Sequence, residues 1–80
     1  MNEPFFFFFV VMLKSLRQER RISQQKLAEA AGVERNYIYY LEKGTSEPTL
    51  SVLMGLAAGL GLTFSDFAAM IERLVVANNT

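Results

Sequence analysis

The chain has 80 residues with eight basic and eight acidic side chains, and it contains neither cysteine nor histidine. Without cysteine it can form no disulfide and no thiolate metal site, which favours a reducing compartment, and we expect a cytoplasmic protein. The two missing residue types also supply the usual general base, the usual thiol nucleophile and the commonest zinc ligands. We therefore expect no enzyme, no catalytic residues, and no metal or other cofactor.

An apolar run occupies residues 5–13 and includes five consecutive phenylalanines. It is shorter than the roughly 20 residues that a membrane-spanning helix needs, and no basic segment precedes it as in a signal peptide, so we expect no membrane association. We interpret residues 1–7 as a lead-in, residues 8–77 as one folded domain and residues 78–80 as a tail. A first helix is predicted over residues 8–20, where Leu13 and Leu16 continue an apolar stripe.

Two short helices are predicted next, separated by a tight turn. Ser23 suits the N-cap of a helix from Gln24 to Ala31, and Gly32 suits its C-terminal end. This helix has a narrow apolar stripe that allows a neighbour to approach closely, formed by Leu27, Ala28 and Ala31. The following helix is predicted from Arg35 to Lys43, with Gly44 as its cap. Two short helices joined by a glycine-containing turn have the sequence form of a helix-turn-helix.

Two further helices complete the predicted fold. The linker at residues 45–48 ends in Pro48, which a helix does not readily cross. A fourth helix is predicted over residues 50–60, and Thr63 with Asp66 resembles a capping box for a fifth helix over residues 64–77. Because no segment alternates between apolar and polar residues with a period of two, we predict an all-α domain of five helices.

Charge is distributed unevenly along the chain. Residues 14–43 contain seven of the eight basic side chains and four of the acidic ones, which gives this segment a charge of +3 and the remainder −3. A phosphate backbone would therefore meet the first half of the molecule. The alternative is that these charges belong to ordinary solvated helix faces.

Several blocks of sequence have residue types and a spacing that match a family pattern. They are residues 16–28, 31–33, 37–38 and 41–44, followed by Pro48. Together they resemble the Cro/repressor-type helix-turn-helix family over about residues 10–75. The resemblance implies a compact, lambda-repressor-like, five-helix domain that binds double-stranded DNA. Within the family, residues 35–38 most resemble the controller proteins of restriction-modification systems and similar short regulators.

The resemblance also implies roles for individual residues. It places Arg35, Asn36 and Tyr40 on the exposed face of the recognition helix, where Arg suits guanine, Asn suits adenine, and Tyr suits a thymine methyl group or a phosphate. It assigns DNA-backbone contacts to a second set, Gln24, Tyr37, Lys43 and Thr45. Arg17 and Glu42 match a pair that forms a structural ion pair in the family.

Two features depart from the family pattern. Tyr39 stands where a small residue is usual, and with Tyr37 and Tyr40 it can either pack as core or form an aromatic edge against the DNA backbone. The phenylalanine run exceeds what the core of such a domain needs. Its surplus is therefore either buried in a dimer contact or exposed.

We expect a homodimer that reads a palindromic operator and regulates transcription, with no small-molecule ligand. The fifth helix has apolar residues on more than one side. Those that can face the core are Phe64, Phe67, Ile71 and Leu74, which leaves Met70, Val75 and Val76 for a partner. The dimer interface is predicted at Met70, Leu74 and Val75, with the phenylalanine run as a second contributor. The alternatives are a monomer whose core takes up all these residues, and a protein-interaction adaptor or antitoxin-like module built on the same fold.

Overall fold

The computed structural model describes residues 3–79 of the chain and the side chains of residues 6–77. In that part the chain forms five α-helices and no strand: α1 (Glu3–Glu19), α2 (Gln24–Ala31), α3 (Arg35–Lys43), α4 (Leu50–Gly59) and α5 (Phe64–Asn79). The predicted all-α fold with five helices is confirmed. The bounds of α2 and α3 are as predicted, whereas α4 ends one residue earlier and α5 ends two residues later.

The predicted start of α1 was wrong, because the helix already begins at Glu3. Residues 3–7 of the predicted lead-in are therefore helical, as are residues 78 and 79 of the predicted tail. The physical reason at the start is that Pro4 lies in the first turn, where proline is tolerated, and that no helix breaker follows it. Residues 1–2 and Thr80 lie outside the described residues.

Side-chain caps and glycines define most of the helix ends. The Ser23 hydroxyl accepts a hydrogen bond of 3.0 Å from the Lys26 amide at the start of α2, as predicted. The Thr63 hydroxyl accepts one of 3.0 Å from the Asp66 amide at the start of α5. Gly32 and Gly44 end α2 and α3 with φ angles of 71° and 85°, a left-handed conformation that other residues rarely adopt.

The core is apolar and receives side chains from all five helices. Its fully buried large residues are Leu13, Leu27, Ile38, Leu41, Leu56, Leu60 and Phe67. Of the phenylalanine run, Phe9 is buried and Phe6 packs partly against the core, whereas Phe7 and Phe8 are exposed. The prediction that Phe64 faces the core was wrong, because this first residue of α5 is exposed and Phe67, one turn later, occupies the interior.

Helices α2 and α4 approach each other closely at two glycines of α4. A Cβ atom added to Gly55 would lie 2.6 Å from the Cα atom of Ala31, and one added to Gly59 would lie 2.8 Å from the Cβ atom of Ala30. Residues four apart lie on one face of a helix, so these glycines form one contact surface. The predicted close approach to the small-residue stripe of α2 is confirmed, and α4 is the neighbour. The role of the two glycines was not predicted from the sequence.

The described part of the chain contains no single helix that is long and apolar enough to cross a bilayer. Helices α4 and α5 together have the length and apolar composition of a membrane-spanning segment, but the chain bends by 111° between them. Leu56, Leu60 and Phe67 from this region are buried in the core.

Candidate nucleic-acid interface

Arg17 of α1 and Glu42 of α3 form a bidentate ion pair. Arg17 Nε donates to Glu42 Oε2 at 2.5 Å, and Arg17 Nη2 donates to Glu42 Oε1 at 3.0 Å. Arg17 Nη1 also donates to the carbonyl of Ile22 at 2.8 Å. Because the two side chains are only 13% and 3% exposed, removal of one would leave a buried charge without its partner. The structure thus brings together the two residues that the resemblance assigned to a structural pair.

Gln24, the first residue of α2, connects this ion pair to the surface. Its Nε2 donates to Glu42 Oε1 at 3.1 Å, and its Oε1 accepts from Arg35 Nη1 at 3.1 Å. The orientation of the amide is therefore fixed, because only its oxygen can accept from a guanidinium and only its nitrogen can donate to a carboxylate. The nitrogen carries a second N–H, which is compatible with a phosphate at this helix N-terminus.

Arg35, the first residue of α3, is held by hydrogen bonds from two sides. In addition to the bond with Gln24, its Nη2 donates to Asn36 Oδ1 at 3.0 Å, and both Arg35 and Asn36 are exposed. A series of side-chain hydrogen bonds therefore runs from Arg17 through Glu42 and Gln24 to Arg35 and Asn36. The link through Gln24 was not predicted from the sequence, where the available signal is that Gln24 and Arg35 begin adjacent helices.

Tyr37 and Thr45 use their hydroxyl protons within the chain. The Tyr37 hydroxyl donates to the carbonyl of Glu47 at 2.9 Å, and burial raises the pKa of Tyr37 above its ordinary value. The Thr45 hydroxyl donates to the carbonyl of Tyr40 at 3.3 Å. Because phosphate oxygens only accept hydrogen bonds, either hydroxyl must leave its present acceptor before it can donate to a DNA backbone.

Tyr39 and Tyr40 form an exposed aromatic pair on α3. Their side chains are 43% and 45% exposed, and their ring centroids lie 5.3 Å apart at an interplanar angle of 72°. Lys43 Nζ lies 5.5 Å from the centroid of the Tyr39 ring, within cation–π range. Tyr39 therefore does not pack as core, whereas Tyr37 is half-buried.

An open groove of about 840 Å³ lies between α1 and the turn that follows α3. Its α1 wall is mainly apolar and its other wall is formed by residues 42–47; the α1 residues are Phe6, Phe7, Val10, Val11, Lys14, Ser15 and Gln18. Phe7 is 61% exposed. Exposed apolar surface thus lies beside the C-terminal end of α3.

The predicted interface residues of α5 divide into two groups. Met70 and Leu74 are half-buried and pack against the core of their own chain. Val75 and its neighbour Val76 are 39% and 57% exposed. Toward the C-terminal end of α5, these two valines therefore supply the exposed apolar surface.

Comparison with known proteins is consistent with this architecture. Residues 13–67, more than half of the chain, match the helix-turn-helix family model. The chain belongs to this family, of the Cro/repressor type that its sequence resembles. It is a helix-turn-helix domain of the class found in transcriptional regulators.

Two relatives illustrate the range of similar proteins. The chain is 42% identical over 60 residues to the HTH-type transcriptional regulator SutR of Escherichia coli, an alignment that covers 75% of this chain and 34% of SutR. It is 36% identical over 62 residues to the control protein C.MunI of a Mycoplasma species, covering 76% of this chain and 84% of that protein. The chain spans between 34% and 46% of the length of the first three curated relatives that it matches.

Two solved structures have the same fold. The Y37F mutant of the restriction-modification controller protein C.Esp1396I superimposes with a TM-score of 0.79 over 95% of this chain and 96% of its own, at 21% identity. The clp gene regulator ClgR from Corynebacterium glutamicum superimposes with a TM-score of 0.73 over 94% and 81%, at 22% identity. At these identities the similarity concerns the fold alone.

Proposed function

We propose that the chain is a sequence-specific transcriptional regulator that binds double-stranded DNA as a homodimer and reads a palindromic operator. The observation that carries this proposal is the hydrogen-bonded series that ends at Arg35 and Asn36 on the exposed start of α3. Arginine can bond guanine O6 and N7, and asparagine can bond adenine N6 and N7. Because Arg35 is already oriented in the free chain, it loses little conformational freedom on binding.

The surroundings of Arg35 suit a phosphate backbone. Gln24 lies at the N-terminus of α2, where backbone amides and the helix dipole favour an anion, and residues 14–43 carry a charge of +3. Lys43 lies at the other end of α3 with an exposed cationic side chain. These groups fix the position of the domain on DNA without reading its sequence. The absence of cysteine favours a reducing compartment, and we assign this function to the cytoplasm.

A homodimer is part of the proposal because one helix-turn-helix contacts only a few base pairs. Two copies related by a two-fold axis would read two half-sites about one helical turn apart. Val75 and Val76 of α5 supply exposed apolar surface for the contact, and Phe7 and Phe8 of α1 supply a second area. Met70 and Leu74 contribute to this interface only where they remain accessible beside the core.

Selection from a random pool of duplex DNA tests the proposal. We expect the full chain to enrich an inverted repeat and to bind it more tightly than a scrambled duplex, with an affinity that falls as salt is raised. Fluorescence polarisation with the selected and scrambled duplexes measures both properties. A chain that enriches no sequence and binds neither duplex in low salt would contradict the proposal.

A second candidate function is a protein-interaction module, which the groove beside α1 and the exposed Phe7 favour. The substitutions Phe7→Ser and Arg35→Ala separate the two functions. If the chain is a DNA-binding regulator, Arg35→Ala lowers its affinity for the operator. If it is an adaptor, Phe7→Ser lowers its affinity for the protein partner and Arg35→Ala leaves that affinity unchanged.

A further inference from the structure

We infer that Tyr39 is a specificity-determining residue, and that its ring packs with that of Tyr40 against the 5-methyl group of a thymine in the major groove. The inference rests on the proposed function and adds Tyr39 to its base-reading residues.

The position of the two rings on α3 is the first support. Tyr39 follows Arg35 by four residues and Tyr40 follows Asn36 by four, so each ring lies one helical turn beyond a proposed base-reading side chain. All four side chains are exposed. A face that presents Arg35 and Asn36 to base edges therefore presents the two rings further along the same groove.

The second support is that the rings form an ordered apolar surface that the core does not use. They meet edge to face with centroids 5.3 Å apart, a favourable arrangement for aromatic pairs. They nevertheless remain 43% and 45% exposed. Among the groups that base pairs present in the major groove, the thymine methyl is the apolar one, and it is the group that an aromatic surface can recognise.

Lys43 gives this surface an electrostatic partner. Its ammonium lies 5.5 Å from the Tyr39 ring centroid, which keeps the cation beside the pair and occupies one face of that ring. The exposed part of the ring remains for the methyl group, and the ammonium can approach the adjacent phosphate. Tyr39 thus reads a base while Lys43 fixes the backbone next to it.

Replacement of thymine by deoxyuridine tests the inference, because it removes the methyl group and keeps base pairing. Each thymine of one half-site in the duplex selected by the wild-type chain is replaced in turn, and affinity is measured by fluorescence polarisation. We expect at least one position where the replacement weakens wild-type binding about fourfold, as for the burial of one methyl group. The Tyr39→Ser variant should bind the thymine duplex and the duplex with deoxyuridine at that position with equal affinity.

Two further variants identify the cause. Tyr39→Phe retains the ring and should retain the thymine preference, whereas Arg35→Ala should bind both duplexes more weakly and leave their affinity ratio unchanged. A wild-type chain indifferent to every replacement would overturn the inference, as would Tyr39→Ser with an unchanged ratio. Failure to select any duplex would instead refute the proposed function, and circular dichroism verifies that each variant is folded.

Discussion

The side-chain carbonyl of Gln24 accepts a hydrogen bond of 3.1 Å from Arg35, so the first residue of α2 orients the first residue of α3. The nitrogen of the same amide donates to Glu42, whose carboxylate is bound by Arg17. The orientation of Arg35 therefore depends on an ion pair between α1 and the end of α3. This dependence makes different substitutions along the series distinguishable.

At the surface end of the series, Arg35→Ala should weaken binding to the preferred site by about 1–3 kcal/mol and relax base preference at one position. Gln24→Ala should weaken binding to every sequence and also reduce this preference, because Arg35 loses an orienting acceptor. Gln25→Ala is the matched control, since Gln25 is exposed and donates to Glu29 instead. Polarisation on selected and scrambled duplexes in matched salt gives both effects. If Arg35→Ala left the ratio of the affinities for the selected and scrambled duplexes unchanged, Arg35 would not be a base-reading residue.

At the buried end, Glu42→Ala should lower the free energy of unfolding by about 3 kcal/mol, because it leaves the Arg17 guanidinium buried without its carboxylate. Operator affinity should fall as well, since Gln24 loses an acceptor. Glu29→Ala is the control, because Glu29 is exposed and should change stability by less than about 0.5 kcal/mol. Thermal denaturation provides the comparison. A Glu42→Ala variant with normal melting and lost DNA binding would show a direct contact instead.

Tyr37→Phe should remove part of the pH dependence of stability. Because burial raises the pKa of Tyr37, the folded chain holds the phenol proton more tightly than the unfolded chain. The neutral phenol therefore contributes its whole share of the free energy of unfolding below the pKa of Tyr37 in the unfolded chain, about 10. This contribution is lost as the pH rises through the pKa of Tyr37 in the folded chain. The variant should be less stable by about 1 kcal/mol at pH 8, because the bond to the Glu47 carbonyl is gone.

Urea denaturation of both chains at pH 8 and at pH 10.5 measures this effect. The stability difference between wild type and Tyr37→Phe should shrink at the higher pH. A constant difference would mean that the burial of the phenol does not couple its proton to folding.

Gly55→Ala should destabilise the fold by about 1–3 kcal/mol, although alanine has the higher helix propensity. The new Cβ atom would lie 2.6 Å from the Ala31 Cα atom, and backbone atoms cannot move aside as a flexible side chain does. Met54→Ala is a suitable control, because the adjacent Met54 side chain is mostly exposed. Chemical denaturation compares the variants. A stabilised Gly55→Ala chain would mean that α2 and α4 are further apart than described.

Val75→Glu should give a folded monomer that binds the operator much more weakly, because it places a charge in the proposed dimer contact. It is a cleaner test than Met70→Glu, since Met70 also packs against the core. Glu72→Gln on the same helix should leave the dimer intact. Sedimentation velocity at micromolar concentration distinguishes the two states. An undisturbed Val75→Glu dimer would move the interface elsewhere, and Phe7→Glu would then test α1.

The sequence predicted helices most accurately where their ends carry local signals. Helix α2 has the Ser23 cap and Gly32, and α3 ends at Gly44, so their bounds agree with the prediction. The start of α1 was mispredicted because Pro4, which is tolerated in the first turn of a helix, was assigned to a lead-in, and the phenylalanines that follow it are compatible with helix throughout. The burial of Phe64 was mispredicted because helical periodicity identifies a face but not where the end of a helix projects beyond the core.

The site was predictable to the extent that it depends on residue type and family spacing. Arg17 and Glu42 were paired by resemblance, and the structure places them in contact. The bond between Tyr37 and the Glu47 carbonyl depends on the path of the turn after α3, which the sequence does not specify. Likewise, the bridging role of Gln24 depends on the angle between α2 and α3.

The glycine contact between α2 and α4 has a consequence for how the domain can adapt to a target. With the backbone of Ala31 placed against Gly55, α2 has no space to shift toward α4. The helix that precedes α3 therefore cannot adapt to a duplex by moving toward α4. On the proposed function, a mismatch in half-site spacing or groove width must be absorbed by rotation of one subunit against the other, or by bending of the DNA itself.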